Sequence, residues 1–301
     1  MKSDKIFTGI MPALITPYDD DGEKYTLKRD TVDKLCKWEL SCGVNGFYIC
    51  GSTGEGPVLG TKLRMEMAEA VIESVGGRCP IINHIGAPSA EDAVALVKHS
   101  DSIGIDAISS VVPNFYFTYN DDETVDYYKR LASYTDKPII IYAQSLMKTA
   151  DIPALVKRIY EIDTVTGVKF TIPNYYELHR IREMCEGINI INGPDETLTC
   201  GLLMGADAGI GTTYNVMPVW FTELYSTFKA GNIAGAAQVQ FKINRVIEAI
   251  IRNGTIRATK EALNLMGFDC GNAAFPTKKM PDAQLAAFKT ELESYGVCFE
   301  I

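Results

Sequence analysis

Short apolar runs alternate with amphipathic stretches through the first two thirds of this chain. The apolar runs are Ile10–Thr16, Gly46–Cys50, Pro80–Ile85, Ala107–Val112, Pro138–Tyr142, Val165–Phe170, Ile188–Asn192 and Ala208–Thr212. Nearly continuous apolar, β-branched runs of this length read as strands buried on both faces. Between them lie helix-period segments, among them Leu27–Ser41, Thr61–Val75, Ala90–Ile103, Asp122–Tyr134 and Ile152–Ile162. In Ala90–Ile103 the residues Ala93, Leu96, Val97 and Ser100 fall on one stripe of a helix.

Strand–helix alternation implies parallel strands joined by helical crossovers. Eight such units predict an α/β fold of the closed (β/α)8 TIM-barrel type rather than an open doubly wound sheet. An open dinucleotide-binding sheet would place Gly-x-Gly-x-x-Gly after its first strand, where this chain reads Leu14-Ile-Thr-Pro-Tyr18. Past the eighth run the pattern becomes purely helical, over Val219–Ala230, Ile233–Arg252, Thr259–Met266 and Asp282–Tyr295. The expected organisation is therefore a barrel over residues 1–218 and a small C-terminal helical extension over 219–301.

Composition narrows the function classes. Apolar residues make up 47% and charged residues 22%, the balance of a soluble globular chain. The net charge of -9 is interrupted by no basic cluster, which argues against a nucleic-acid or anionic-membrane partner. No apolar run approaches the ~20 residues of a membrane span. The N-terminal residues 1–7 hold no apolar signal core, so a cytoplasmic location is expected. The eight cysteines include no Cys-x-x-Cys pair, which reads as reduced thiols. The three histidines, His84, His99 and His179, are not at ligand spacing, so no metal site is expected. His84 follows a strand and reads as a hydrogen-bonded structural residue.

Lys169 stands out within Val165-Thr-Gly-Val-Lys-Phe-Thr171. A lysine in a buried strand is either paired with a carboxylate or put to chemical use. Desolvating an ammonium favours the neutral amine, a nucleophile able to form a Schiff base with a ketone. Barrel enzymes carry their active sites at the C-terminal strand ends. There the chain places Gly51-Ser-Thr-Gly-Glu-Gly56, Tyr142, Lys169, Asn192-Gly-Pro-Asp-Glu196 and Gly209-Ile-Gly-Thr-Thr-Tyr-Asn215. The first is either a tight glycine turn or a cradle presenting N–H groups and the Ser52 and Thr53 hydroxyls to a small carboxylate. Tyr142 is either packing or a proton relay beside the lysine. Asp195 and Glu196 are either helix N-terminal charges or acceptors for a polyhydroxylated ligand.

Taken together and in this order, these segments, with Gly9-Ile-Met-Pro-Ala-Leu-Ile-Thr-Pro17, resemble the N-acetylneuraminate lyase / dihydrodipicolinate synthase superfamily of Schiff-base barrel enzymes over nearly the whole chain. The resemblance implies that Lys169 attacks the keto carbon of pyruvate or of a pyruvate-yielding 2-keto acid. Ser52 and Thr53 would hold the carboxylate, and Tyr142 would move the proton at the reacting oxygen. Gly-Val-Lys-Phe-Thr-x-Pro-Asn-Tyr-Tyr-Glu-Leu and Gly-x-Asp-Glu resemble the lyase branch, in which residues matching Thr171, Gly193, Asp195, Glu196 and Thr212 hold sugar hydroxyls. The synthase branch has an arginine where this chain has Met147. The family's relay tyrosine from a neighbouring subunit falls at Phe115, with Tyr116 adjacent. The loop Ala143–Thr149 departs from the family's Tyr-Asn-x-Pro-x-x-Ser/Thr-Gly pattern and borders the distal pocket.

The expected activity is a carbon–carbon lyase cleaving a 2-keto sugar acid, N-acetylneuraminate first, to pyruvate and an aldehyde. No cofactor or metal is expected, because the lysine supplies the electrophilic centre. Aldolases for other 2-keto acids of the 2-keto-3-deoxygluconate type, or dihydrodipicolinate synthase, are the neighbouring alternatives. A non-catalytic keto-acid-binding barrel is the alternative of a different class. The expected partners are a small-molecule substrate and, from the resemblance, three further copies in a homotetramer.

Overall fold

The computed structural model describes residues 7–300. Residues 1–6, most of the N-terminal stretch expected to carry no signal core, and residue 301 lie outside the described residues. Eight parallel strands form one sheet: β1 (Gly9–Pro12), β2 (Phe47–Ile49), β3 (Ile81–His84), β4 (Ala107–Val111), β5 (Ile139–Ala143), β6 (Val165–Phe170), β7 (Asn189–Asn192) and β8 (Ala208–Gly211). Neighbours in sequence are neighbours in space, and β8 returns to pair with β1. The last seam, between β1 and β2, is closed just past the strand by a bridge from Ala13 to Tyr48, with Leu14 N–H donating to Tyr48 O at 2.8 Å. Below it Asn45 acts as a clasp: its Oδ1 accepts from Ile10 N–H at 2.9 Å while its own N–H donates to Ile10 O at 2.7 Å.

The crossovers are α1 (Arg29–Ser41), α2 (Thr61–Val75), α3 (Ala90–Ser102), α4 (Asp121–Ala132), α5 (Ile152–Tyr160), α6 (Tyr175–Met184) and the short α7 (Leu198–Leu203). The sequence marks several starts chemically. Asn120 and Glu123 form a capping box on α4, while Ser89 and Asp151 cap α3 and α5. After β8 come α8 (Pro218–Lys229), α9 (Ile233–Arg252), α10 (Thr255–Leu265) and α11 (Asp282–Ser294). Helix α8 lies on β1 and on α9, closing the outer ring.

Two apolar layers follow from the period-2 alternation of the strands. Met11, Tyr48, Ile82, Ala107, Ile140, Ile191, Ala208 and Ile210 fill the barrel interior, while the opposite strand faces pack on the helices. Each fully buried aliphatic chain contributes about 1.5–3 kcal/mol. The same alternation carries Ile82 to His84, Ile140 to Tyr142 and Gly167 to Lys169 along the interior, one step higher each time.

All eight strands expected from the apolar runs are present, but most are shorter. The run Ile10–Thr16 is a strand only through Pro12, because beyond the Ala13 bridge Thr16 turns to donate its hydroxyl to Gly54 O at 2.7 Å. The antiparallel pair Tyr18–Asp20 and Tyr25–Leu27 was not expected; it takes the first residue of the expected helix Leu27–Ser41, which begins at Arg29. Helix α10 begins at Thr255 rather than Thr259, because Gly254 at φ 83° ends the preceding turn and α10 follows at once.

Candidate active site

Tyr142 and Lys169 are register partners on β5 and β6, so their side chains enter the barrel side by side at its C-terminal end. Gly167, two residues below Lys169, leaves the space that a Cβ would take from Ile140 and from Asn189 O. Lys169 is 5% exposed, and its Nζ lies 4.3 Å from the Tyr142 ring centroid and 4.2 Å from that of Tyr48. Among the described residues no carboxylate lies within ion-pair distance of that nitrogen. The structural alternative, a lysine paired with a strand-end carboxylate, is therefore not what the fold builds.

His84 packs edge-on to Tyr142, with ring centroids 5.8 Å apart. Its Nδ1 donates to Cys50 O and its Nε2 accepts from Val111 N–H, each at 3.2 Å. Burial, reinforced by the charges of Arg64 and Lys169, holds the imidazole well below its usual range, so it stays neutral. His84 is thus the backbone-bonded residue expected, although it also shapes the wall behind Tyr142. Arg64 joins that wall from α2, donating to His84 O at 2.7 Å and Gly86 O at 3.1 Å.

The turn after β2 is bracketed by two non-glycine residues in the left-handed region, Cys50 and Glu55, both at φ 57°. Gly56 is required because a Cβ there would overlap Cys50 O. Such residues cost about 1–3 kcal/mol each and persist only where surroundings impose them. Glu55 is imposed upon from three sides. Its Oε2 accepts from Tyr18 OH and Lys260 Nζ, both at 2.8 Å, and its Oε1 accepts from Ala274 N–H at 2.6 Å. Lys260 on α10 is completely buried, so the C-terminal helices grip this turn through an internal ion pair. Held in this way, the turn exposes Ser52 and brings Thr53 into a 2.6 Å hydroxyl–hydroxyl hydrogen bond with Thr212 at the end of β8.

Thr212 also lines a cavity of about 220 Å³ together with Thr171, Gly193, Asp195 and Glu196. Five residues singled out in the sequence thus share one space. Gly193 is needed there because a Cβ would overlap Thr171 Oγ1 and lie 2.9 Å from its Cα. Asp195 is only partly available, since its Oδ2 accepts from both Thr213 N–H and Thr213 Oγ1 at 2.7 Å. Burial outweighs those two bonds and raises its carboxyl to about 6. Glu196 is exposed at the cavity, and its backbone carbonyl accepts from Asn244 Nδ2 at 3.0 Å.

Several contributors were not singled out in the sequence. Ile247 and Ile251 of α9 and Thr255 of α10 close the cavity from the C-terminal side. Gln240 of α9 supports its floor, donating to Asp195 O at 3.1 Å and accepting from Thr199 N–H at 3.1 Å. Tyr48, beside Lys169, lies within the expected strand Gly46–Cys50 and carries no further signal in the sequence. Tyr116 is not brought to Tyr142 by its own chain. It stands 88% exposed on the loop after β4, which Asn114 ties to the 144–149 loop by donating to Leu146 O at 2.8 Å. No group of three or more His, Cys, Asp or Glu side chains able to hold a metal ion occurs among the described residues.

This arrangement puts an amine, a phenol, a hydroxyl-bearing turn and a polar cavity at one end of a barrel. Residues 6–294 match the model of the Dihydrodipicolinate synthetase family. An N-acetylneuraminate lyase of Rhizobium meliloti (strain 1021) is 32% identical over 282 residues, spanning 93% of each chain. The solved Proteus mirabilis N-acetylneuraminate lyase superposes with a TM-score of 0.90 at 27% identity, covering 97% of this chain and 99% of the other. A Clostridium difficile protein solved in complex with mannosamine gives a TM-score of 0.90 at 28% identity over 96% and 99% of the two chains. The chain belongs to the dihydrodipicolinate synthetase family.

Proposed function

We propose that the chain is a Schiff-base (class I) aldolase that cleaves N-acetylneuraminate to pyruvate and N-acetylmannosamine. The observation that carries this reading is Lys169, buried beside the Tyr142 phenol with no carboxylate partner among the described residues. The lysine amine attacks the keto carbon, water leaves, and the resulting iminium accepts the electron pair of the carbon–carbon bond as it breaks. Tyr142 moves the proton at the reacting oxygen. Ser52 and Thr53 hold the carboxylate, in a turn fixed before substrate arrives.

Thr171, Gly193, Asp195, Glu196 and Thr212 receive the sugar hydroxyls, Glu196 with its carboxylate and Gly193 through close backbone approach. The curated relatives named N-acetylneuraminate lyase and the neighbour solved with mannosamine support this substrate over a second carboxylate. Met147, buried where the synthase branch has arginine, also supports it. The departures in Ala143–Thr149 favour one second reading, an aldolase for another long 2-keto sugar acid.

The proposal extends to a homotetramer in the cytoplasm that needs no cofactor, with Tyr116 relaying protons in a neighbouring subunit's site. The exposed aromatics Tyr116 and Phe117 support a subunit contact there. No helix among the described residues is long and apolar enough to cross a membrane. The proposal keeps a barrel and a C-terminal helical extension but places α8 (Pro218–Lys229) with the barrel as its eighth helix, so the boundary expected at 218/219 moves past Lys229 and the later helices close over the cavity. The test is pyruvate release from N-acetylneuraminate by the purified protein and by Lys169→Ala. Release abolished in the variant supports the reading; release retained at near-normal rate overturns it.

A further inference from the structure

Lys169 Nζ lies between two aromatic faces, and only one of them has a role so far. The Tyr48 and Tyr142 rings meet edge to face, with centroids 6.1 Å apart and planes at 79°, and the nitrogen is about equally close to both. Tyr48 is 1% exposed, and its hydroxyl donates to Ser109 Oγ at 3.2 Å. Burial, reinforced by Tyr142, holds this phenol well above its usual range, so Tyr48 stays neutral and offers the nitrogen a ring face rather than an anion. His84, 6.2 Å from the same ring, is neutral as well. The nitrogen is therefore flanked by two ring faces in a buried site, where a cation gains more from a ring than it does in bulk water.

We propose that Tyr48 is a further catalytic residue: its ring face, with that of Tyr142, stabilises the cationic iminium formed on Lys169. The inference rests on the Schiff-base reading above. When the amine lone pair forms the C–N bond, one proton passes from nitrogen to the former keto oxygen and the carbinolamine is neutral. A further proton, passed to that oxygen by Tyr142, expels water and leaves one positive charge on the C=N nitrogen. Cleavage of the bond between the α and β carbons, with the β-hydroxyl passing its proton to Tyr142, returns an electron pair to nitrogen, giving a neutral enamine and releasing the aldehyde. The ring interaction is thus strongest at the iminium and largely lost at the enamine. Its signature is the iminium population, and hence affinity for pyruvate, rather than the rate of cleavage.

The test replaces Tyr48 with phenylalanine and then with phenylalanines bearing one, two and three ring fluorines, which weaken the π face stepwise at nearly constant shape. Borohydride trapping of Lys169 at graded pyruvate concentrations gives the apparent pyruvate affinity, with thermal unfolding and kcat measured in parallel. Affinity is expected to fall stepwise, by a total of about two- to thirty-fold, while kcat changes less and the unfolding midpoint stays in place. Tyr48→Phe keeps the ring and loses only the Ser109 bond, so it is the reference against which the fluorine series is read. A flat fluorine series in a protein that still traps pyruvate overturns the role of Tyr48 and leaves the Schiff-base reading intact. Absence of any trapped adduct on Lys169 in the parent protein overturns both.

Discussion

Asp195 offers a quantitative check on the electrostatics of the cavity. Two influences compete at its carboxyl. Burial favours the protonated form, whereas the N–H and hydroxyl of Thr213, with the charge of Lys169, favour the carboxylate. Burial prevails and moves the group from 3.8 to about 6. The folded state therefore keeps a proton that the unfolded chain has already released. The resulting stabilisation is complete below about pH 4 and is lost as the pH rises through about 6. At about 1.4 kcal/mol per pH unit this amounts to about 3 kcal/mol. Asp195→Asn retains an oxygen to accept from Thr213 and removes the titration. Denaturant unfolding of both proteins across pH 4–7 then reports the effect, because contributions from groups that do not interact with Asp195 cancel in the difference. Relative to the variant, the parent is expected to lose about 2 kcal/mol of those 3 between pH 4 and pH 7, because the unfolded carboxyl is already partly ionised at pH 4. A difference that is flat, or that grows in the parent's favour with pH, would show that the Thr213 bonds outweigh burial.

The remaining expectations concern the parts that hold the site in place. Gly193→Ala forces a methyl group onto Thr171, including its backbone Cα, so a loss of about 1–3 kcal/mol in denaturant unfolding and a raised KM are expected; an unchanged KM would separate Gly193 from the substrate cavity. Glu55→Gln leaves the buried Lys260 ammonium without its anion and is expected to cost about 3–5 kcal/mol. Restoring charge balance with Lys260→Met should recover much of that loss. If the double variant is no more stable than Glu55→Gln, the ion pair is not what secures the turn.

The sequence disclosed what is periodic and what is local. Eight β-branched runs are enough to announce a barrel, because strands covered on both faces have few other compositions. Lys169 was legible because a charge in such a run demands a partner or a purpose, and the strand-end glycines mark close approaches that other residues would block. What the sequence concealed is built across distance. Tyr48 is one residue of an expected strand until the barrel closes and sets it against a lysine 121 positions away. Lys260 sits on a helix with polar neighbours, and only folding brings it to Glu55 and strips it of solvent. Ile247, Ile251 and Thr255 satisfy helical periodicity whether or not they cover a cavity. Asp195 shows a subtler limit: its grouping with the other cavity-lining residues was legible, but the capture of Oδ2 by Thr213 was not.

The central claim is that Lys169 forms the covalent bond to substrate. The most direct measurement is peptide mass spectrometry after incubating the protein with N-acetylneuraminate or pyruvate and reducing it with borohydride. The account predicts one reduced pyruvate adduct, located on Lys169 and missing from Lys169→Ala. An adduct on another lysine, or sustained pyruvate release with Lys169 unmodified, would contradict it.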